Sequence, residues 1–163
     1  WYEDIYRELA RRMDLEPDAE IHDELVRKRV IMNFNQEGTR TEQVLRSLEA
    51  MVQHGRFAAE TIIVDGFSFP QSSPDDLRRF KEFASRMQLE LWFSASLKGP
   101  EPLFDEQGIP VELRSCLDHI DVLITLRHWH DRVQLRLIKD HGYTSPSELR
   151  LSLDPTTLLI AEP

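Results

Sequence analysis

The chain has 163 residues, 40% of them hydrophobic and 30% charged, and carries a formal net charge of −9. That length supports one domain with a sizeable core and is short for two, and the composition is that of a globular chain rather than a disordered one. The acidic balance argues against a broad electrostatic footprint for DNA or RNA, leaving room only for a local basic groove. No apolar run reaches the roughly 18–20 residues needed to cross a bilayer, so no membrane partner is expected. A single cysteine, Cys116, rules out an internal disulfide framework and fits a reducing compartment, so a cytoplasmic location is expected. The sequence opens on Trp1 with no signal-like stretch, and residues 1–163 are expected to form a single domain truncated at its N-terminus.

Taken in chain order, Tyr2 to Met13 repeats its apolar residues at three- and four-residue steps, which predicts a helix closed by Pro17. A short charged helix around Ile21, Leu25 and Val26 is expected next. Val30 to Phe34 reads as a short buried strand ended by Asn35 and Gly38. Thr39 and Glu42 have capping-box spacing ahead of a helix whose apolar face is Val44, Leu45, Leu48, Met51 and Val52, with Gly55 as its stop. Thr61 to Val64 is β-branched and apolar, the pattern of a parallel strand covered on both faces. Ser73-Pro74-Asp75-Asp76 then announces a helix with a buried stripe of Leu77, Phe80, Ala84 and Met87.

Leu89 to Leu97 is the next expected strand, followed by a loop from Gly99 to Pro110, a short helix near Val111 to Cys116, and a strand from Asp121 to Leu126. Val133 to Ile138 alternates and is joined to its predecessor by His128-Trp129-His130-Asp131, which predicts an antiparallel hairpin. Leu149 to Leu153 and Thr157 to Ile160 read as a last hairpin. The expected fold class is α/β: a three-layer α/β/α arrangement with a mostly parallel sheet and C-terminal antiparallel β-hairpins.

Ligands of open α/β sheets sit beyond the carboxyl ends of parallel strands. Those ends would present Asn33 and Asn35, Asp65, Ser94 and Ser96, and Thr125. Asp65 is the best candidate, because a carboxylate at the end of an apolar strand can hold a hydrated Mg²⁺; as Asp65-Gly66 it can equally be a turn aspartate. Ser94 and Ser96 can sense a phosphate or a metal-bound water, or merely close a strand. Lys139 can neutralise phosphate charge across a subunit interface, or sit with Asp140, His141 and Gly142 in a solvated turn. His128 and His130 would share a face if the strand reached that far, but no third metal ligand has suitable spacing. Cys116, among apolar residues, reads as core. The 163 residues contain no G-x-x-x-x-G-K-[ST], no G-x-G-x-x-G, no G-x-S-x-G and no paired-cysteine zinc motif.

Three stretches together resemble the ATPase core of the RecA superfamily, in particular its KaiC, RadA and DnaB-like branch. Glu60 to Phe67 is similar to the Walker B strand, Leu91 to Leu97 to the next strand with its nucleotide-sensing polar end, and Asp118 to Gly142 to the closing hairpin. The resemblance implies a RecA-like fold, ATP and Mg²⁺ as cofactors and a homo-oligomer. It implies Asp65 as the metal residue, Ser94 or Ser96 sensing the γ-phosphate, and Lys139 with His141 reaching an adjacent subunit's ATP. Position 141 is histidine where the family usually has arginine, and the Walker A loop would lie before Trp1. ATP and Mg²⁺ are therefore expected only with that segment, and no hydrolysis is expected of these residues alone. The acidic balance suits a regulatory, KaiC-like member better than one that translocates DNA.

Two rival readings stand beside it. One is a non-catalytic interaction module, a degenerate ATPase fold that assembles with itself or with a competent paralogue. The other is a receiver-like phosphoacceptor, suggested by Asp65 with Phe69-Pro70 and Ser94-Ala95. A receiver would need acidic residues where Asn33-Phe34-Asn35 stands and a lysine where Arg127 follows Leu126.

Overall fold

In the computed structural model, which describes residues 2–15, 19–35, 39–55, 57–97, 103–157 and 159–161, the best-capped segment of the sequence becomes the best-defined helix. Ser73 is the N-cap of α4 (Pro74–Met87), with Pro74 in the first turn. Its hydroxyl accepts the Asp76 N–H at 3.3 Å, and the Asp76 carboxylate accepts the Ser73 N–H at 2.9 Å, which closes a capping box. The helix ends at Gln88, whose φ of 56° and ψ of 47° place it in the left-handed region. Leu77, Phe80 and Phe83 are its buried face, and Ala84 and Met87 lie at the half-buried margin.

Helices α1 (Tyr2–Arg12) and α2 (Ala19–Arg27) stand where the periodicity puts them, and α3 covers Thr41–Gln53. The cap of α3 differs from expectation. Thr39 gives its hydroxyl proton to the Asn35 carbonyl, so the helix starts later, with Arg40 as N-cap and its N–H donated to Gln43 Oε1 at 2.9 Å. Gly55 does stop α3: it donates to the Ala50 and Met51 carbonyls at 3.1 Å, and a Cβ there would stand 2.5 Å from the Met51 oxygen. Only a residue without a side chain allows that approach.

Among the described residues six strands form two sheets. β1 (Thr61–Val64) and β2 (Glu90–Phe93) pair in parallel, while β3 (Val122–Trp129), β4 (Arg132–Asp140), β5 (Tyr143–Leu153) and β6 (Ile160–Ala161) follow one another across a four-stranded sheet. The two-residue links β3–β4 and β4–β5 can join only antiparallel neighbours, and β5 pairs with β6 in antiparallel register, Ser152 opposite Ala161 and Leu153 opposite Ile160. The chain is thus a mixed α/β protein with a small parallel and a larger antiparallel sheet. That departs from the mostly parallel sheet expected: Val30 to Phe34 forms no strand, and β3 pairs with β4 in a separate sheet instead of extending the β1–β2 pair, so among the described residues only β1 and β2 are parallel.

Val30 to Phe34 is not a strand. The segment is irregular, and Val30, Ile31 and Phe34 are 41%, 67% and 38% exposed. A run of apolar residues becomes a strand only where another strand accepts its hydrogen bonds, and none pairs with it among the described residues. The predicted strand over Leu89–Leu97 is real but short, and the helix near Val111 is a 3-10 helix extending to His119. Pro17, Gly38 and Gly99 lie outside the described residues.

Contacts divide the chain into two units, residues 1–33, 124–137 and 147–163, and residues 34–123 and 138–146. In the first, Arg12 at the end of α1 donates to the Ile160 carbonyl at 2.8 Å and to Thr157 Oγ1 at 3.2 Å. Arg11 and Arg12 also hold the Glu8 carboxyl down at about 2 by hydrogen bonds and charge. In the second, Phe69, Leu77, Ile109, Leu113, Cys116, Leu123 and Ile138 form the core, with Phe67, Phe93, Leu117 and Ile120 packed against it. Cys116 is fully buried, as expected of a core cysteine.

Candidate functional site

The two parallel strands carry the site. Their register sets Ile62 beside Leu91, Ile63 beside Trp92 and Val64 beside Phe93. Alternation sends Ile62, Val64, Leu91 and Phe93 to one face, where the Phe93 ring meets Phe67 and Phe80 at 5.1 and 5.2 Å. Thr61, Ile63, Glu90 and Trp92 form the other face, which is open: Ile63 is 73% exposed and Trp92 47%.

The ladder between the strands closes with the Ser94 N–H donated to the Val64 carbonyl at 3.0 Å. One residue further along each strand, Asp65 and Ser94 meet. The Ser94 hydroxyl donates to Asp65 Oδ1, and the Gly66 N–H donates to the Ser94 oxygen at 3.4 Å. Gly66 has a φ of 71°, the left-handed conformation that lets the chain turn away directly after the carboxylate. Asp65, Gly66 and Ser94 are all exposed. Asp65 Oδ2 has no protein donor among the described residues.

A single accessible carboxylate oxygen can accept from the water of a hydrated divalent cation, which is usually held by one or two carboxylates together with phosphate oxygens. Among the described residues no group of three or more His, Cys, Asp or Glu side chains could ligate a metal directly. The described residues do not fit the phosphates of a nucleotide, since among them no glycine-rich loop of backbone N–H groups surrounds Asp65.

The structure brings together Asp65 and Ser94 and leaves the other candidates elsewhere. Ser96 is exposed in the irregular segment after β2. The Lys139 ammonium, half-buried, donates to the Leu117 and Ile120 carbonyls, both at 2.6 Å. It closes the end of the 3-10 helix within its own unit. His141 occupies the β4–β5 turn with a φ of 51°; its Nδ1 lies 2.7 Å from Asp140 Oδ1, and its N–H donates to the Asp121 carbonyl at 2.5 Å. Asp121 in turn accepts from Lys81 of α4 at 2.6 Å. Thr125 lies inside β3 rather than at a strand end, and Asn33 and Asn35 lie on irregular chain. His130 forms the β3–β4 turn with a φ of 53°, so it does not share a strand face with His128.

Comparison with protein families, characterised proteins and solved structures gives no match to this chain. Its function is therefore argued from these residues alone.

One organised group escaped the sequence reading. Asp105, its side chain only 8% exposed, accepts the Gln107 and Ile109 N–H groups at 2.9 Å and the Arg114 guanidinium at 3.0 Å. Gly108, with a φ of 77°, completes the turn. An acid three residues ahead of a glycine was the available signal. A shallow depression of about 750 Å³ opens beside it, lined by Phe104, Ile109 and Leu117, but the carboxylate is wholly engaged by its own loop. Burial pushes the Asp105 carboxyl up, and the Ile109 N–H, Arg114 and the Gln107 N–H more than offset it, so the group sits below its ordinary value.

A carboxyl with a depressed folded-state pKa stabilises the fold above its unfolded value and loses that contribution as pH falls through the folded one. Unit stability is therefore expected to decline below about pH 4, the usual aspartate value. An Asp105→Asn variant should be less stable at neutral pH and show a flatter decline, measured by urea unfolding at stepped pH. An unchanged slope would remove Asp105 from the account.

Proposed function

We propose that the Asp65–Ser94 edge is the Mg²⁺-facing side of a RecA-superfamily-type nucleotide domain of three-layer α/β/α form, whose ATP binding and hydrolysis, coupled to oligomer regulation, need a phosphate-binding loop that residues 1–163 do not contain. The observation that supports this reading is one contact: a carboxylate ending one parallel strand, hydrogen-bonded to a hydroxyl ending the next. Mg²⁺, when bound, would supply positive charge to phosphate oxygens. Asp65 would hold the cation through its water, and the Ser94 hydroxyl holds the carboxylate in place. Lys139 and His141, which the resemblance would have reach an adjacent subunit's ATP, are engaged within their own unit, Lys139 on the Leu117 and Ile120 carbonyls and His141 beside Asp140.

The test uses Mn²⁺ as a paramagnetic substitute, added to the 163-residue chain while backbone amide signals are followed by NMR. Selective broadening at Gly66 and Ser94, lost in Asp65→Asn, is the expected result. Broadening that is uniform, or unaffected by Asp65→Asn, defeats the reading. The chain alone is expected to turn over no ATP, so phosphate release that Asp65→Asn abolishes would contradict the inactivity proposed here.

A second reading, a non-catalytic interaction module that self-assembles, is favoured by the inward commitment of Lys139. It is distinguished by self-association in sedimentation without any Mn²⁺ response at Gly66.

A further inference from the structure

We propose that the end of the β3–β4 hairpin is a self-association surface that takes helix α2 of a second copy of this chain, an inference that rests on the reading of a self-assembling module. β3 ends at Trp129 and β4 starts at Arg132, so the two-residue turn sets these residues opposite one another. The same register sets Leu123 opposite Ile138, and both belong to one buried cluster. Alternation then gives Trp129, Arg127, Arg132 and Arg136 one common face. The Arg127 guanidinium lies 5.8 Å from the centre of the Trp129 ring, as residues on one face should. Trp129 is 49% exposed, and Arg127 is exposed beside it. Half-buried Arg136 leaves its Nε without a hydrogen-bond partner among the described residues. Residues 124–137 hold three arginines against one acid, Asp131, within a chain of net charge −9.

The complementary surface lies on the same unit. No residue of α2 is buried, and Ile21 and Leu25, one turn apart, are 52% and 43% exposed. Glu20 and Glu24 line that stripe, again one turn apart, and residues 14–24 carry six acids with no lysine or arginine. α2 meets α1 through His22, whose ring lies 5.3 Å from that of Tyr6, and the Ile21–Leu25 stripe stays open. Both surfaces are open at once within one unit, so neither covers the other within a chain. A second copy offers what each lacks: carboxylates for the arginine forks and apolar area for the Trp129 ring. Trp and Arg are also the side chains that most often anchor interfaces. A two-fold pair would make the contact twice, which doubles the area that one nine-residue helix can cover.

The experiment is sedimentation equilibrium of the full 163-residue chain as wild type, Trp129→Ala, Arg127→Glu, Glu24→Arg and the double variant Arg127→Glu/Glu24→Arg. Wild type is expected to self-associate, and Trp129→Ala to raise the dissociation constant about tenfold or more, as for an interface anchor. Arg127→Glu and Glu24→Arg should each weaken association, and the double variant, which restores opposite charges, should regain part of it. All three positions are exposed, and rescue by a second charge reversal is a result that misfolding would not give. Association unmoved by Trp129→Ala and Arg127→Glu overturns this surface and leaves self-assembly standing. Loss in the hairpin variants with full association in Glu24→Arg overturns α2 as the occupant. A wild type that stays monomeric up to about 1 mM, where even weak specific contacts populate, overturns both the surface and self-assembly. A monomeric wild type that binds single-stranded oligothymidylate through Trp129 overturns the inference too and gives the face to nucleic acid.

Discussion

Phe80→Ala is expected to lower the unfolding free energy of the chain by about 3–5 kcal/mol, the range for deleting a fully buried aromatic side chain. Phe80 is 2% exposed and lies at the centre of a ring cluster, with Phe67 at 5.8 Å and Phe93 at 5.2 Å, both edge-to-face. Truncation removes the transfer energy of the ring, two favourable aromatic contacts and the packing of α4 against β2 at once. Domains are stable by only about 5–15 kcal/mol, so the loss is a large fraction of the whole. Urea unfolding followed by far-ultraviolet circular dichroism measures it. Phe80→Leu should recover much of the stability, because it refills most of the volume. A drop of under about 1 kcal/mol for the alanine variant would mean that the cluster collapses around the gap, against the usual behaviour of packed cores.

The second large effect is expected at Lys139. Lys139→Met keeps the apolar stem and removes the ammonium. The Leu117 carbonyl then retains the Ile120 N–H at 3.2 Å, but the Ile120 carbonyl loses the one donor it has among the described residues. Leaving a partly buried carbonyl unsatisfied costs about 1–3 kcal/mol, and the loss of charge assistance places the expected value in the upper half of that range. Lys139→Arg should not rescue it, because a planar guanidinium cannot aim two donors at carbonyls spaced for a compact ammonium. Hydrogen exchange should localise the change to Val111–His119, the 3-10 helix that the lysine closes. A Lys139→Met variant as stable as wild type would instead free this residue for a role outside its own unit.

These two positions show what kind of information the chain displays openly. Phe80 was legible as core because it sits in a helix whose cap, first proline and acidic first turn are all local, from Ser73 to Asp76. Asp65 and Ser94 could be set side by side because two apolar runs separated by one helix leave little choice but adjacent parallel strands. Lys139 was not legible. Its acceptors lie 22 and 19 residues earlier, on carbonyls that carry no sequence identity, so nothing in Lys139-Asp140-His141-Gly142 distinguishes a cap from a solvated turn. Val30 to Phe34 failed for the complementary reason: the strand pattern was present, but a strand is a property of two segments, and the second is missing among the described residues. The Thr39 cap slipped because Asn35 offered its hydroxyl a nearer acceptor.

The open end of the β1–β2 ladder has a consequence for how long the site lasts. The Ser94 N–H to Val64 bond is the final rung of a parallel pair only four residues long, and the Asp65–Ser94 contact hangs one step beyond it. Strand ends fray before cores open. Each brief fraying of that rung parts carboxylate from hydroxyl while Phe67, Phe80 and Phe93 stay packed beneath. The Asp65–Ser94 edge should therefore melt on its own schedule, losing its ordered carboxylate at temperatures where the aromatic cluster is intact, so that the lifetime of one backbone hydrogen bond sets how long the carboxylate stays ordered.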